Sequence, residues 1–351
     1  MEERVFRLTP LTPVHIGTGE TIGPEEYLIQ VGQFVRINTH KILMDWPLAS
    51  RQRFEQFIFN NRIEEARRML HDAASKAEFQ LYRAAIGEPS RRELERVAPS
   101  KRSGEVHTHV RNLHTGRVVV PGSAIKGAMR TAVLSVLAHH EGQKLAALVR
   151  SALNRDRNTA WMTLEEQALS YEREHTEDDP LRMLRVSDGE LPTGAVRVDR
   201  VQVVGRGGQS GQAQKIQLHL ERLLSRADGS PPYSCEVRII LDGRVRVRRP
   251  LDWSFLVASC NYFFWHRYQE EVIAFPILAE REWVPASWPQ GSILLRIGRF
   301  SHFESLSVDG LRSGWNIQRK CPIEGMGSSR SLCMITDQIL APFGWVLLEP
   351  V

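Results

Sequence analysis

The residues best placed to meet a phosphate stand between 117 and 130. A short β-branched run, Arg117 to Val120, leads into Pro121-Gly122-Ser123. Ile125, Met129, Ala132, Val133, Val136 and Leu137 then follow at helical spacing. The pattern predicts a strand, a turn and a helix start, with Ser123 as N-cap. A helix start leaves backbone N–H groups without partners and carries the positive end of the macrodipole. Gly122 lacks the side chain that would hold another backbone away. Lys126 and Arg130 lie four apart, on one face beside the apolar stripe. Together these describe a ledge for phosphate. They equally describe a capped amphipathic helix with two solvated cations. The pattern GxxxxGK[ST] is absent, which disfavours a nucleotide triphosphatase.

Three other places carry residues of chemical interest. In His15-Ile16-Gly17-Thr18-Gly19 a histidine ends a strand beside glycines. It reads as a general base, a platform for a base, or a core residue, and nothing nearby in sequence supplies it a partner. No helix follows and GxGxxG is not matched, so a dinucleotide site is a poor reading. In the run from Leu294 to Phe303, a strand meets Gly298, and Arg299, Phe300 and His302 interleave cations with an aromatic ring. That suits stacking and phosphate pairing of unpaired RNA, or a strand end with snorkelling arginines. His107, His109 and His114 include an HxH pair that could ligate metal. With polar neighbours and no carboxylate or cysteine to complete a set, they read as exposed loop histidines. Asp188 reads as a turn residue, and without a second carboxylate it supports no two-metal site.

The elements that must position these groups follow from periodicity. A bent strand is expected over 5–16, a hairpin over 27–37, and a helical insertion over about 45–115 that ends in a polar loop at 99–116. Two helices are expected between 141 and 176, and strands at 182–186, 196–204, 216–220 and 237–241. A long aromatic helix at about 252–273 precedes strands at 293–297 and 346–348. The glycine-rich stretches 206–212 and 325–331 read as loops. Strands and helices mix without strict alternation, which predicts an α+β fold with helices on one face of the sheets. The expected division is a first domain over 1–205 and a second over 206–351.

Composition bounds the function. The chain has 351 residues and a formal net charge of +5, so a polyanion partner is permitted but not demanded. The apolar share of 42% and charged share of 25% are globular values and exclude a disordered chain. The four cysteines form no CxxC pair, which argues against a disulfide framework or a cysteine-rich zinc site and for reduced thiols in the cytoplasm. No signal peptide is read at the N-terminus, and Asn261, His266, Arg267, Glu270 and Glu271 break the stretch from Trp253 to Phe275, so no membrane partner is expected.

Taken in order, several segments resemble one family. Leu11-Thr12-Pro13-Val14-His15-Ile16-Gly17-Thr18-Gly19 is similar to the opening of the RAMP superfamily of CRISPR systems. Val120 to Arg130 resembles that superfamily's PGSSLKGALR-type helix start, and Leu295-Arg296-Ile297-Gly298 its C-terminal glycine-rich segment. Asp179-Pro180-Leu181-Arg182 through Asp188, and Pro342-Phe343-Gly344-Trp345, look like the fifth-subunit family of the type III-A Csm effector complex. The resemblance implies ferredoxin-like (RRM-like) cores and a non-catalytic subunit that caps the complex at the 3′ end of the guide RNA. Its implied partners are that RNA's 3′ region, the target RNA indirectly, the backbone and small helical subunits, and nucleases recruited for guide maturation. No cofactor or metal is implied. Arg299, Phe300 and His302 replace smaller residues, which puts close backbone approach at that loop in question.

A holder of guides whose sequence varies must read phosphate and sugar, not bases. The expected contacts are therefore Gly122, Ser123, Lys126, Gly127 and Arg130, with His15, Gly17 and Thr18 on the same surface and Arg299 and His302 beside them. The rival readings are a metal-independent endoribonuclease of the same superfamily using His15 as base, another type III RAMP subunit, and a protein-only scaffold.

Overall fold

The computed structural model describes residues 1–96, 104–153, 156–206, 218–229, 232–308, 311, 314–316, 320–323 and 326–351. Along the chain come β1 (Glu2–Pro10), β2 (Gly17–Ile22), β3 (Tyr27–Gln30) and β4 (Gln33–Ile37), then α1 (Thr39–Asp45), α2 (Leu48–Phe59) and α3 (Ile63–Ala73). Next are β5 (Gln80–Ile86), α4 (Glu88–Leu94), β6 (Val106–His109), β7 (Val118–Val120), α5 (Gly122–Leu153) and α6 (Arg157–Leu169). They are followed by β8 (Leu184–Val186), β9 (Gly189–Leu191), β10 (Val196–Gly205), β11 (Leu218–Leu223), β12 (Cys235–Leu241) and α7 (Trp253–Ala274). The last are β13 (Ile293–Arg296), β14 (Gly314–Asn316), β15 (Cys321–Ile323), β16 (Ser329–Thr336), β17 (Ile339–Ala341) and β18 (Trp345–Pro350).

The fold is α+β, with ferredoxin-like organisation in curled sheets. One sheet has the order β13-β18-β1-β12-β8, every pair antiparallel. Phe6 and Leu8 on β1, and Val237 and Ile239 on β12, alternate inward with exposed Arg7 and Arg238. This period of two buries one face and leaves the other wet. Helices α5 and α7 cover the buried face. A second sheet runs β2-β6-β11-β10-β5-β4-β3, with β16 and β17 branching from β10.

Helix α7 is apolar nearly all round, the mark of a buried helix. Asp252 caps it by accepting from Phe255 N at 2.8 Å. Helix α5 forms where the stripe predicts. Its N-cap differs from expectation, because Ser123 lies inside the first turn and is exposed. Gly142, at φ 61° and ψ −143°, breaks it into two helices, so the pair expected after 141 is the second half of α5 followed by α6.

Two expectations need correction. The helical insertion contains β5, whose sequence QLYRAAI has one buried residue and no hydrophobic alternation. The loop expected at 99–116 carries β6, which is Val106-His107-Thr108-His109 and is short of apolar residues. Residues 97–103, 207–217 and 324–325 lie outside the described residues, and with them most of the 206–212 loop. No helix among the described residues is long and apolar enough to cross a membrane. Cys235, Cys260 and Cys333 are free and buried.

Candidate nucleic-acid interface

The family-like segments, scattered from residue 11 to 345, meet in two interlocks. The first is built on α5. Gly122, Lys126 and Arg130 recur every four residues and share one side of the helix. Gly122 N donates to Asp188 Oδ1 at 2.7 Å, and a Cβ at Gly122 would sit 2.3 Å from Val186 O. Only glycine lets the helix start lie this close to the end of β8. Lys126 Nζ donates to Leu184 O at 2.7 Å, and partial burial lowers its pKa. Arg130 donates to Asp179 at 2.8 Å and Glu165 at 3.0 Å. Burial works against its charge, yet the two carboxylates outweigh burial and raise its pKa. The three residues thus face the protein. The open side of the same two turns presents Ser123 and Gly127, both exposed, and a Cβ at Gly127 would meet nothing within 4 Å.

The second interlock joins both ends of the chain. Gly298, at φ +81°, lies against the His15 backbone, and a Cβ there would fall 2.5 Å from His15 O. Arg299 N donates to that same oxygen at 2.8 Å, and Gly344 N donates to Pro13 O at 2.9 Å. Close backbone approach is therefore present at this loop, despite the large residues after Gly298. Val110 N donates to Ile16 O at 2.9 Å, and Val119 N donates to Val110 O at 3.1 Å. These bonds set the His15 segment one strand away from the strand that feeds α5.

His15 is 1% exposed and belongs to a polar cluster inside the second sheet. Its Nδ1 donates to Glu221 O at 2.6 Å, which fixes the proton on Nδ1 and leaves Nε2 a lone-pair acceptor. Desolvation lowers its pKa to about 4, helped by the charge of Arg299, so the ring is neutral at pH 7. His109 stands edge-on to it at 6.0 Å, with a pKa lowered to about 3 by burial. The Glu221 carboxylate accepts from His109 N at 3.0 Å and from Arg111 at 3.2 Å, and Arg111 lies over the Tyr82 ring at 3.9 Å. The reading of His107, His109 and His114 as loop residues is thus corrected. His107 and His109 sit on β6, where His109 is buried and His107 half-buried, while His114 is exposed.

Above this cluster the surface is polar. Gly17 and Thr18 are exposed, and Thr18 Oγ1 lies 2.9 Å from Thr108 Oγ1. Arg299 is exposed, with its guanidinium over Phe300 and no carboxylate paired to it among the described residues. His302 is not brought to this surface. Its Nε2 is buried, and burial with the Arg296 and Arg330 charges lowers its pKa to about 2.

Sequence reasoning missed Asp188 as the partner of α5, and Glu221, Arg111 and Tyr82 around His15. The Gly122–Asp188 and His15–Glu221 contacts join residues 66 and 206 positions apart, which local patterns do not signal. The exposed face of the five-stranded sheet offers Glu3, Val5 and Arg7 on β1 and Glu236 and Arg238 on β12. None of these five residues is aromatic, so they give bases no ring to stack upon, unlike the usual RRM platform. Of the expected contact residues, Gly17, Thr18, Arg299, Ser123 and Gly127 are exposed, and they offer backbone, hydroxyls and a cation.

A model of the RAMP superfamily matches residues 7–289. Two curated proteins named "CRISPR system Cms protein Csm5", from two Mycobacterium tuberculosis strains, are 29% identical over 142 residues. That alignment spans 37% of this chain and 38% of each relative, little more than a third of their length. A chain of the cryo-EM structure of a Csm-crRNA-target RNA ternary complex in a type III-A CRISPR-Cas system superposes with a TM-score of 0.65 at 19% identity, covering 99% of this chain and 100% of that one. The crystal structure of T. onnurineus Csm5 superposes with a TM-score of 0.61 at 19% identity, covering 97% and 99%.

Proposed function

Because the chain belongs to the RAMP superfamily, we propose that it is a non-catalytic RNA-binding subunit of a type III-A Csm effector complex. On this reading it caps the assembly at the 3′ end of the guide RNA, holds the guide backbone and assists guide maturation in antiviral defence. Its partners are the 3′ region of the guide, the neighbouring backbone and small helical subunits, the target RNA through the guide, and recruited nucleases. Likeness over the full length to a chain of such a complex supports membership of an assembly.

The observation that carries RNA holding is exposed Arg299, unpaired with any described carboxylate, beside the bare Gly17–Thr18 backbone and the Thr18–Thr108 hydroxyl pair. A lone cation with hydroxyl and amide groups contacts phosphate and sugar and carries no base code. Ser123 and Gly127 extend the same chemistry along α5. Gly122, Lys126 and Arg130 shape this surface by anchoring the helix, and His15 lies beneath it, while His302 is buried near Arg296 and Arg330.

The test is a titration of end-labelled single-stranded RNA across a salt series, read for both shift and cleavage. The wild type should bind without cutting. Arg299→Ala should weaken binding and reduce the magnitude of the salt slope by about one. Lys126→Ala/Arg130→Ala is the weaker probe, since both side chains hold the protein together. Cleavage abolished by His15→Ala would instead support the metal-independent ribonuclease. No shift at low salt would sink the claim that this chain grips RNA.

A further inference from the structure

Beneath the candidate interface one acceptor is held ready and left unused. His15 Nε2 has no hydrogen-bond partner among the described residues. Its ring is fixed on two sides, by the bond from Nδ1 to Glu221 O at 2.6 Å and by the edge contact with His109. Its low pKa keeps it neutral, so it accepts rather than donates. The cover over this ring edge is residue 17, which is glycine. A Cβ there would lie 2.8 Å from Nε2, inside contact distance. Gly17 has no positive φ that would require glycine. The missing side chain is therefore explained by what it uncovers.

The groups around this opening differ in polarity. Thr18 and Thr108 bring paired hydroxyls. Arg299, whose backbone N bonds His15 O at 2.8 Å, brings a positive charge that is felt at both His15 and His107. A neutral acceptor beside a guanidinium suits a hydroxyl donor attached next to a phosphate. In a nucleic acid, that pair is the ribose 2′-OH and its adjoining phosphodiester, and the 2′-OH is what separates RNA from DNA.

We propose that His15 Nε2, uncovered by Gly17, accepts a hydrogen bond from a ribose 2′-hydroxyl while Arg299 pairs with the neighbouring phosphate, making this patch the point where the chain selects RNA over DNA. The inference rests on the RNA-holding reading and deepens it. No bond is made or broken, and the 2′-OH keeps its proton.

The full chain would be titrated with three oligonucleotides of one sequence: RNA, all-deoxy and all-2′-O-methyl. One hydrogen bond of ordinary strength gives about fivefold preference for RNA over the other two. Gly17→Ala, which covers Nε2, should abolish the preference, so that the variant binds RNA no better than it binds DNA. Arg299→Ala should weaken all three alike. His15→Gln tests the acceptor directly, and thermal melts report whether each variant folds. Equal binding of RNA and DNA by the wild type, or equal loss on all three in folded Gly17→Ala, overturns the inference while leaving RNA holding intact. Failure of all three to bind overturns the RNA-holding reading itself.

Discussion

At the scale of single residues, buried neutral histidines set the acid limit of the fold. Unfolded histidine titrates near 6.5, whereas the folded values fall to about 4 for His15, about 3 for His109 and about 2 for His302, with burial the largest cause in each. Below 6.5 the unfolded chain binds more protons than the folded one, so stability is full above that pH and is lost as pH falls toward the folded values. Between pH 6.5 and 5 each histidine should remove about 1–2 kcal/mol. Urea unfolding at pH 7.5, 6.5 and 5 measures it, and His109→Gln should flatten the slope. A stability flat across this range would mean that these rings charge without penalty. Gly298 makes a second prediction. Its φ of +81° and the 2.5 Å approach to His15 O leave no space for a Cβ. Gly298→Ala should destabilise by about 1–3 kcal/mol and release the Arg299 loop, seen as a lower melting temperature with weakened RNA binding.

At the scale of elements, α5 is aimed by one remote carboxylate. Asp188 accepts the first helical N–H across 66 residues of sequence, and Gly122 allows the contact. Asp188→Ala should cost about 1–2 kcal/mol, as loss of a helix cap does, and Asp188→Asn, which keeps an accepting oxygen, should cost less. Thermal melts would decide, and equal loss in both would point to the charge alone. This element also marks where the sequence was legible. The β-branched run, the Pro-Gly turn and the apolar stripe carried β7 and α5 within a residue or two. The 3.6-residue period likewise carried α7. Strands β5 and β6 were illegible because their partners, not their own side chains, make them strands. Local sequence also read Lys126 and Arg130 as a phosphate ledge. Leu184 O and the Asp179 and Glu165 carboxylates that engage them arrive from elsewhere in the chain. What a sequence gives as a spaced pair of cations is settled by which anions the fold brings alongside, and that depends on contacts across tens of residues.

At the scale of the whole molecule, the two sheets are joined through one buried carboxylate. Glu271 on α7 is 1% exposed, and its Oε1 accepts from Arg296 at 2.9 Å and Arg330 at 2.8 Å. Arg296 belongs to β13 of the five-stranded sheet, and Arg330 to β16, which pairs with β10 of the other. Both guanidiniums are buried, over Trp345 and Phe275 respectively, and Arg330 also pairs with Glu304. Such a cluster need not add net stability over an apolar core, because desolvation offsets much of its attraction. Removing Glu271 is different, since Arg296 then loses the carboxylate it pairs with and Arg330 is left to Glu304. Glu271→Ala leaves two buried arginines short of an anion and should cost about 3–5 kcal/mol. Because the lost contact lies between the sheets, the damage should also appear as lost cooperativity. Wild type should unfold in urea as one transition, and Glu271→Ala should separate into two with a smaller apparent m for the first. Glu271→Gln keeps an accepting oxygen and the shape, so it should stay cooperative with a smaller loss. A single unbroken transition in Glu271→Ala, with less than about 1 kcal/mol lost, would mean that strand pairing and apolar packing hold the sheets together without the bridge.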